Sequence, residues 1–313
     1  MTAEPASTRQ NRRLARAIVS LTVAAALVGC TPSRFNPPFL TVMPQGASLH
    51  PGTIIFTATC PQGSTRLGGG FMVAPENANH GMVVRGSYPS DANGWTLEVE
   101  NTTPMPNDSS ALMVLAYCAQ RADLALTATV QTKGAVATIG GGLTSPAAKT
   151  MINAPCTAPA VLTGGGYYVD GPLDANDASF NAGILESAPD GSDWYVEVGE
   201  GLAAQRNRLV KAFAVCTTGL PPGTMSTVPM TPVAGFLTTT TAPCTDPNTY
   251  TTAGGFRLNG SGHKDPSGSL TIYQGHAFES AVEKDFAQWR IDTNTVYPAS
   301  TPVTAVVLCA PIP

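Results

Sequence analysis

The sequence predicts an all-β fold of three homologous β-sandwich-like modules, each closed by one internal disulfide. Three observations lead there. With 31 Gly and 27 Pro in 313 residues, 12% charged and 43% apolar, the chain is turn-rich yet apolar enough to bury a core. It lacks the charge excess of a disordered polymer and the helix-forming bias of a coiled coil. Period-two alternation recurs at three places, and no helical period appears beyond the first thirty residues. Six cysteines fall into three pairs inside a repeated pattern of Gly and Trp.

Taken in chain order, the first element is a leader. Arg9, Arg12, Arg13 and Arg16 precede an uncharged run from Ala17 to Gly29, which ends at Cys30. That run is too short to cross about 30 Å of hydrocarbon as a mature helix, but it suits the centre of an export signal. The stretch Leu27-Val28-Gly29-Cys30 resembles the lipobox of bacterial lipoproteins. The resemblance implies that residues 1–29 are a signal peptide cut before Cys30, whose thiol then carries diacylglycerol with acyl chains of the palmitate class. Two or more acyl chains hold a protein to a bilayer almost permanently. The expected location is the outer face of the cytoplasmic membrane, or the outer membrane in an organism that has one. Residues 30–50, with Pro32, Pro37, Pro38 and Pro44, read as a stiff lipidated tether.

Four of the 17 basic and one of the 21 acidic residues precede Cys30, which leaves 13 against 20 in the remainder. A mildly acidic body argues against nucleic acid or anionic lipid as the main partner, because both reward a basic face.

The modules follow as 51–128, 129–220 and 221–313. Cys60 and Cys118, Cys156 and Cys216, and Cys244 and Cys309 are separated by 58, 60 and 65 positions. Between the members of each pair the punctuation recurs. The first module has Leu67-Gly68-Gly69-Gly70-Phe71, Ser87-Tyr88-Pro89 and Gly94-Trp95. The second has Gly164-Gly165-Gly166-Tyr167, Ser187-Ala188-Pro189 and Asp193-Trp194, and the third Gly254-Gly255-Phe256, Glu279-Ser280 and Trp289. All three Trp occupy one repeat position. The pattern resembles the Cys…Gly-Gly-Gly…Trp…Cys modules of uncharacterised secreted actinobacterial proteins, a likeness that implies no activity. A duplicated unit carries its own bond into each copy, so pairing within modules is expected. A unit of about 95 residues suits a small β-sandwich with its own core. The modules are either beads in a row or one body with pseudo-threefold symmetry, such as a β-prism. The linker 217–241, which contains Val233 and Phe236, favours close packing.

The strand after each Trp alternates. Trp95, Leu97 and Val99 oppose Thr96, Glu98 and Glu100; Trp194, Val196 and Val198 oppose Tyr195 and Glu197; Trp289 and Ile291 oppose Arg290 and Asp292. One face belongs to a core and the other to water, so Glu98, Glu197 and Asp292 read as solubilising charges. The runs 112–118, 209–216 and 303–309 are apolar on both faces, apart from Lys211 and Thr304, and read as central, doubly covered strands. The Gly triplets lead into strands and not into a helix, so they read as bulges or close backbone approaches and not as a phosphate cradle.

Chemistry is sparsely signalled. Ser87, Ser187 and Ser280 are read as sharing a repeat position but lack the Gly-x-Ser-x-Gly elbow, and they read as turn formers beside Pro. His263 and His276 lack a His-Glu-x-x-His pattern. Recurrence in triplicate favours binding over catalysis, because tethered copies gain avidity. The loops after the Gly strands differ in each copy and are the candidate binding elements: Asn77, Asn79 and His80; Asp170, Asp174, Asn176 and Asp177; His263 and Asp265. The four second-loop residues supply oxygens of the kind calcium uses, without EF-hand spacing, and no metal or other cofactor is assigned. The expectation is a membrane-anchored cell-envelope lipoprotein, not an enzyme, that binds a glycan or an envelope protein or serves a structural role. The alternative is a hydrolase acting on envelope polymers.

Overall fold

The computed structural model describes residues 39–42, 52–73, 82–90, 93–101, 112–119, 125–141, 149–170, 184–199, 203–231, 238–246, 248–258, 270–278, 288–295 and 302–311. Every regular element among them is a strand. The first repeat supplies β1 (Phe39–Val42), β2 (Gly52–Thr59), β3 (Thr65–Val73), β4 (Met82–Ser90), β5 (Gly94–Asn101) and β6 (Leu112–Ala119). The second supplies β7 (Thr127–Gly141), β8 (Lys149–Pro155), β9 (Val161–Val169), β10 (Ile184–Asp190), β11 (Asp193–Gly199) and β12 (Ala203–Thr218). The third supplies β13 (Thr224–Met230), β14 (Thr238–Pro243), β15 (Thr249–Leu258), β16 (Leu270–Phe278), β17 (Gln288–Thr295) and β18 (Val303–Pro311). β1 lies inside the stretch read as a tether and pairs with β6, from Phe39 opposite Ala119 to Val42 opposite Ala116.

The strands form three antiparallel six-stranded sheets. Sheet 1 runs β1-β6-β3-β16-β17-β14, sheet 2 runs β2-β5-β4-β9-β12-β7, and sheet 3 runs β13-β18-β15-β10-β11-β8. Each sheet therefore takes three strands from one repeat and three from another, and the repeats do not stand as separate beads. The halves of a sheet meet along a seam of only two residue pairs: Phe71 opposite Gly275 and Met72 opposite Gln274, Tyr167 opposite Ser87 and Tyr168 opposite Gly86, Phe256 opposite Ser187 and Arg257 opposite Glu186. One apolar cluster joins all three repeats and includes Trp95, Trp194, Trp289, Phe71, Tyr167 and Phe256.

The three disulfides are Cys60–Cys118, Cys156–Cys216 and Cys244–Cys309. Each joins two sheets. Cys60 follows β2 of sheet 2 and meets β6 of sheet 1, Cys156 follows β8 of sheet 3 and meets β12 of sheet 2, and Cys244 follows β14 of sheet 1 and meets β18 of sheet 3. Each repeat thus contributes to two facing sheets tied by one bond.

Alternation behaves as expected in β11, where Trp194, Val196 and Val198 are buried and Tyr195 and Glu197 only partly so. β18 is buried from Val303 to Ala310, and β6 from Val114 to Ala119. These strands lie second from a sheet edge and not at its centre. Their outer neighbours β13 and β1 complete the ladders.

Candidate functional site

The Gly triplets explain how three sheets close around one interior. In each strand a bulge falls one residue ahead of the first triplet position, at Leu67, Thr163 and Thr252. The middle glycines, Gly69, Gly165 and Gly254, lie flat beneath the rings of Trp95, Trp194 and Trp289, where a Cβ would overlap the indole. Trp95 of sheet 2 thus covers a strand of sheet 1, Trp194 of sheet 3 covers sheet 2, and Trp289 of sheet 1 covers sheet 3. The last glycines, Gly166 and Gly255, sit at the seams, where a Cβ would run into the carbonyl oxygens of Ser87 and Ser187. The triplets therefore serve close backbone approach.

The recurring serines belong to the same lock. Ser87 and Ser187 are 6% and 2% exposed. Trp95 Nε1 donates to Ser87 Oγ at 2.8 Å, and Trp194 Nε1 to Ser187 Oγ at 3.0 Å. The third member of this set is Gly275, not Ser280. Gly275 faces Phe71 across its seam as Ser87 faces Tyr167 and Ser187 faces Phe256, and Ser280 lies outside the described residues.

The outward faces carry the chemistry that differs between copies. On sheet 2 a bulge between Val84 and Gly86 inserts Arg85, whose Nη1 lies 3.0 Å from Glu98 Oε1 and 3.5 Å from Glu100 Oε2. Arg85 Nη2 donates to the Val169 carbonyl at 3.3 Å, and Thr53 Oγ1 donates to Glu100 at 2.7 Å. Glu98 and Glu100 are 5% and 8% exposed. This corrects the reading of Glu98 as a solvated charge. Tyr88 occupies the space above Gly86, where a Cβ would stand 2.9 Å from its ring, and its hydroxyl donates to Glu98 Oε2 at 3.4 Å. The Tyr88 ring stacks on Phe213 with centroids 5.2 Å apart and meets Tyr168 edge-on at 5.4 Å. Lys211 and Arg85 lie 5.8 and 5.9 Å from the Tyr168 ring centre. Burial and the Glu98 carboxylate push Tyr88 up to about 12. Burial also raises Glu98, with Arg85 opposing it.

All of these contacts cross or flank the seam between β4 and β9, where the ladder contributes only two pairs. A buried, hydrogen-bonded ion cluster is the substitute. The seam between β10 and β15 has a simpler clamp. Arg257 Nε lies 2.5 Å from Glu186 Oε1, Arg257 Nη2 lies 3.9 Å from Asp190 Oδ1, and Arg257 Nη2 donates to the Pro189 carbonyl at 3.0 Å. Arg85 and Arg257 carry no repeat signature, and Tyr88, a member of the Ser87-Tyr88-Pro89 punctuation, gave no sign of its ionic partner. The available signal was a charge beside Gly86 in an otherwise apolar strand.

Glu186 makes the second clamp sensitive to pH. Burial pushes its carboxyl from 4.5 up to about 7, with Arg257 opposing the shift. The folded form therefore holds a proton that the unfolded chain has lost between these values, and stability falls as pH rises through that window. Glu186→Gln is expected to remove this fall and to gain on the order of 1 to 2 kcal/mol at pH 8. That is less than the shift alone implies, because Arg257 is part-exposed and solvent screens the pair. Urea unfolding at pH 4.5 and pH 8 measures it; a wild type equally stable at both values contradicts the expectation.

Of the residues predicted to bind, Asp170 is described. It is exposed at the end of β9, its amide donates to the Leu209 carbonyl at 2.9 Å, and its Oδ1 accepts from the Tyr168 hydroxyl at 3.4 Å. Cys30, Asn77, Asn79, His80, Asp174, Asn176, Asp177, His263 and Asp265 lie outside the described residues. Among the described residues no group of three or more His, Cys, Asp or Glu side chains is placed to hold a metal ion. Neither a protein-family model nor a curated protein matches the chain.

Proposed function

We propose that this chain is an exported lipoprotein, anchored through Cys30, that acts in the cell envelope as a non-catalytic binding or structural protein, with a glycan or another envelope protein as its ligand class. The observation that carries this reading is the position of the recurring serines. Ser87 and Ser187 are buried, and each hydroxyl is engaged by an indole N–H and not by a base, whereas a hydrolytic serine needs a base within hydrogen-bond reach and access to substrate. The recurrent residues hold the scaffold together, and the outer faces and loops are left to differ, which suits recognition.

Two measurements test the two halves of this reading. Cells fed a tagged fatty acid should label the protein, and Cys30→Ala should lose both the label and membrane retention. Labelling that persists in Cys30→Ala removes the anchor. The purified protein should retain glycans on an array, or an envelope protein in solution, without turnover. Hydrolysis of an envelope polymer, abolished by altering one repeat's Ser or His, selects the hydrolase instead.

A further inference from the structure

The three indoles do not end alike. Trp95 and Trp194 each reach a serine hydroxyl, while Trp289, 3% exposed, has a buried Nε1 with no acceptor among the described residues. The register supplies the reason: the position held by Ser87 and Ser187 in the other repeats is Gly275 here. Where these groups converge, a cavity of about 30 Å³ is lined by Trp95, Trp194, Trp289, Ser87 and Ser187 together with the glycines and aromatic residues of the three Gly strands.

We propose that Trp289 Nε1 donates to ordered water held in this cavity, in the place where the other repeats carry a serine hydroxyl. A water needs roughly 10 to 15 Å³ of such space, so the cavity holds about two. A bare buried donor weakens folding by about 5- to 150-fold, whereas ordering a water costs at most about thirtyfold and commonly much less. Hydration is therefore the cheaper state. The lining decides the kind of occupant. Among the described residues it contains no charged one, so an anion or cation lacks a counter-charge there, and an apolar molecule leaves the donor bare. Ser87 and Ser187 accept from their own indoles and keep a hydroxyl hydrogen to give, so donors face the water from several sides. The inference is independent of any ligand-binding role.

Water-exchange cross-relaxation at the three indole protons of protein carrying ¹⁵N-tryptophan tests this. Trp289 should show a cross-peak to a long-lived water. Gly275→Ser supplies the missing acceptor; it should abolish that peak and raise the folding equilibrium constant about fivefold. Absence of a long-lived water at Trp289 overturns the proposal. So does a peak that persists undiminished in a folded Gly275→Ser protein. If the serine variant does not fold, the wild-type spectrum still decides, because Trp289 without a long-lived water overturns the proposal and Trp289 with one supports it.

Discussion

Gly166→Ala is expected to abolish the native fold or to destabilise it by on the order of 4 kcal/mol or more, although it adds a single methyl group. Gly166 sits where β9 meets β4, and the new Cβ would enter the Ser87 carbonyl oxygen and stand 3.1 Å from Tyr88 Cα. Both obstacles are backbone or backbone-linked, so no rotamer change relieves them and the strands must separate. Separation breaks the two-pair seam, pulls the Arg85 guanidinium from the Val169 carbonyl, and strands a buried ion cluster. The comparison is Gly191→Ala. Gly191 has φ +60° in the β10–β11 turn with nothing near its Cβ position, so only backbone strain of about 1 kcal/mol is expected. Denaturant unfolding of the two variants separates the explanations. Equal, small losses would show that the seam tolerates the methyl group and that the Gly triplets are not packing devices.

The strands around each Trp, the Gly bulges and the cysteine pairs were legible because each is written locally, by a period of two or by duplication of a unit. The exchange of strands between repeats was not. Alternation tells which face of Trp194-Tyr195-Val196 is buried and nothing about whether β10 borders β15 or a strand of its own repeat. Glu98 misled for a related reason. It does point away from Trp95, as its parity requires, but the Arg85 bulge and the Tyr88 ring above Gly86 share that face and bury it. Ser280 misled through loop length. Ser87 and Ser187 precede their Trp by eight and seven positions, whereas the longer connection between β16 and β17 places Gly275 fourteen ahead of Trp289. Motif spacing counts the loop, and pairing does not. Arg257 was invisible because its partner Glu186 comes from another repeat, whereas Arg85 meets Glu98 and Glu100 of its own repeat through a bulge that alternation does not register.

Reduction of the three disulfides is expected to unfold the protein at 25 °C without denaturant, and in a defined order. Each bond closes a loop of 58 to 65 residues, which in the chain-entropy model is about 4 kcal/mol apiece against a total stability of about 5 to 15 kcal/mol for a domain. The bonds are also where sheets are tied to one another, so their loss and the loss of the Trp-on-Gly contacts reinforce each other at the same junctions. Access sets the order, because exchange requires a thiolate to reach a sulfur. Cys60, Cys118, Cys156 and Cys216 are 6%, 0%, 7% and 2% exposed and Cys309 is 1% exposed, while Cys244 is only partly buried. Cys244–Cys309 should open first. Its junction, between sheets 1 and 3, is also the one whose indole lacks a serine, so the protein should become partly loosened there before the other two bonds react. Timed alkylation with mass mapping, read beside far-ultraviolet circular dichroism, follows both events. Label on Cys60 or Cys156 ahead of Cys244 would mean that local opening and not static burial governs attack, and a fully reduced chain that keeps its strand signal would show that the Trp–Gly contacts alone hold the three sheets.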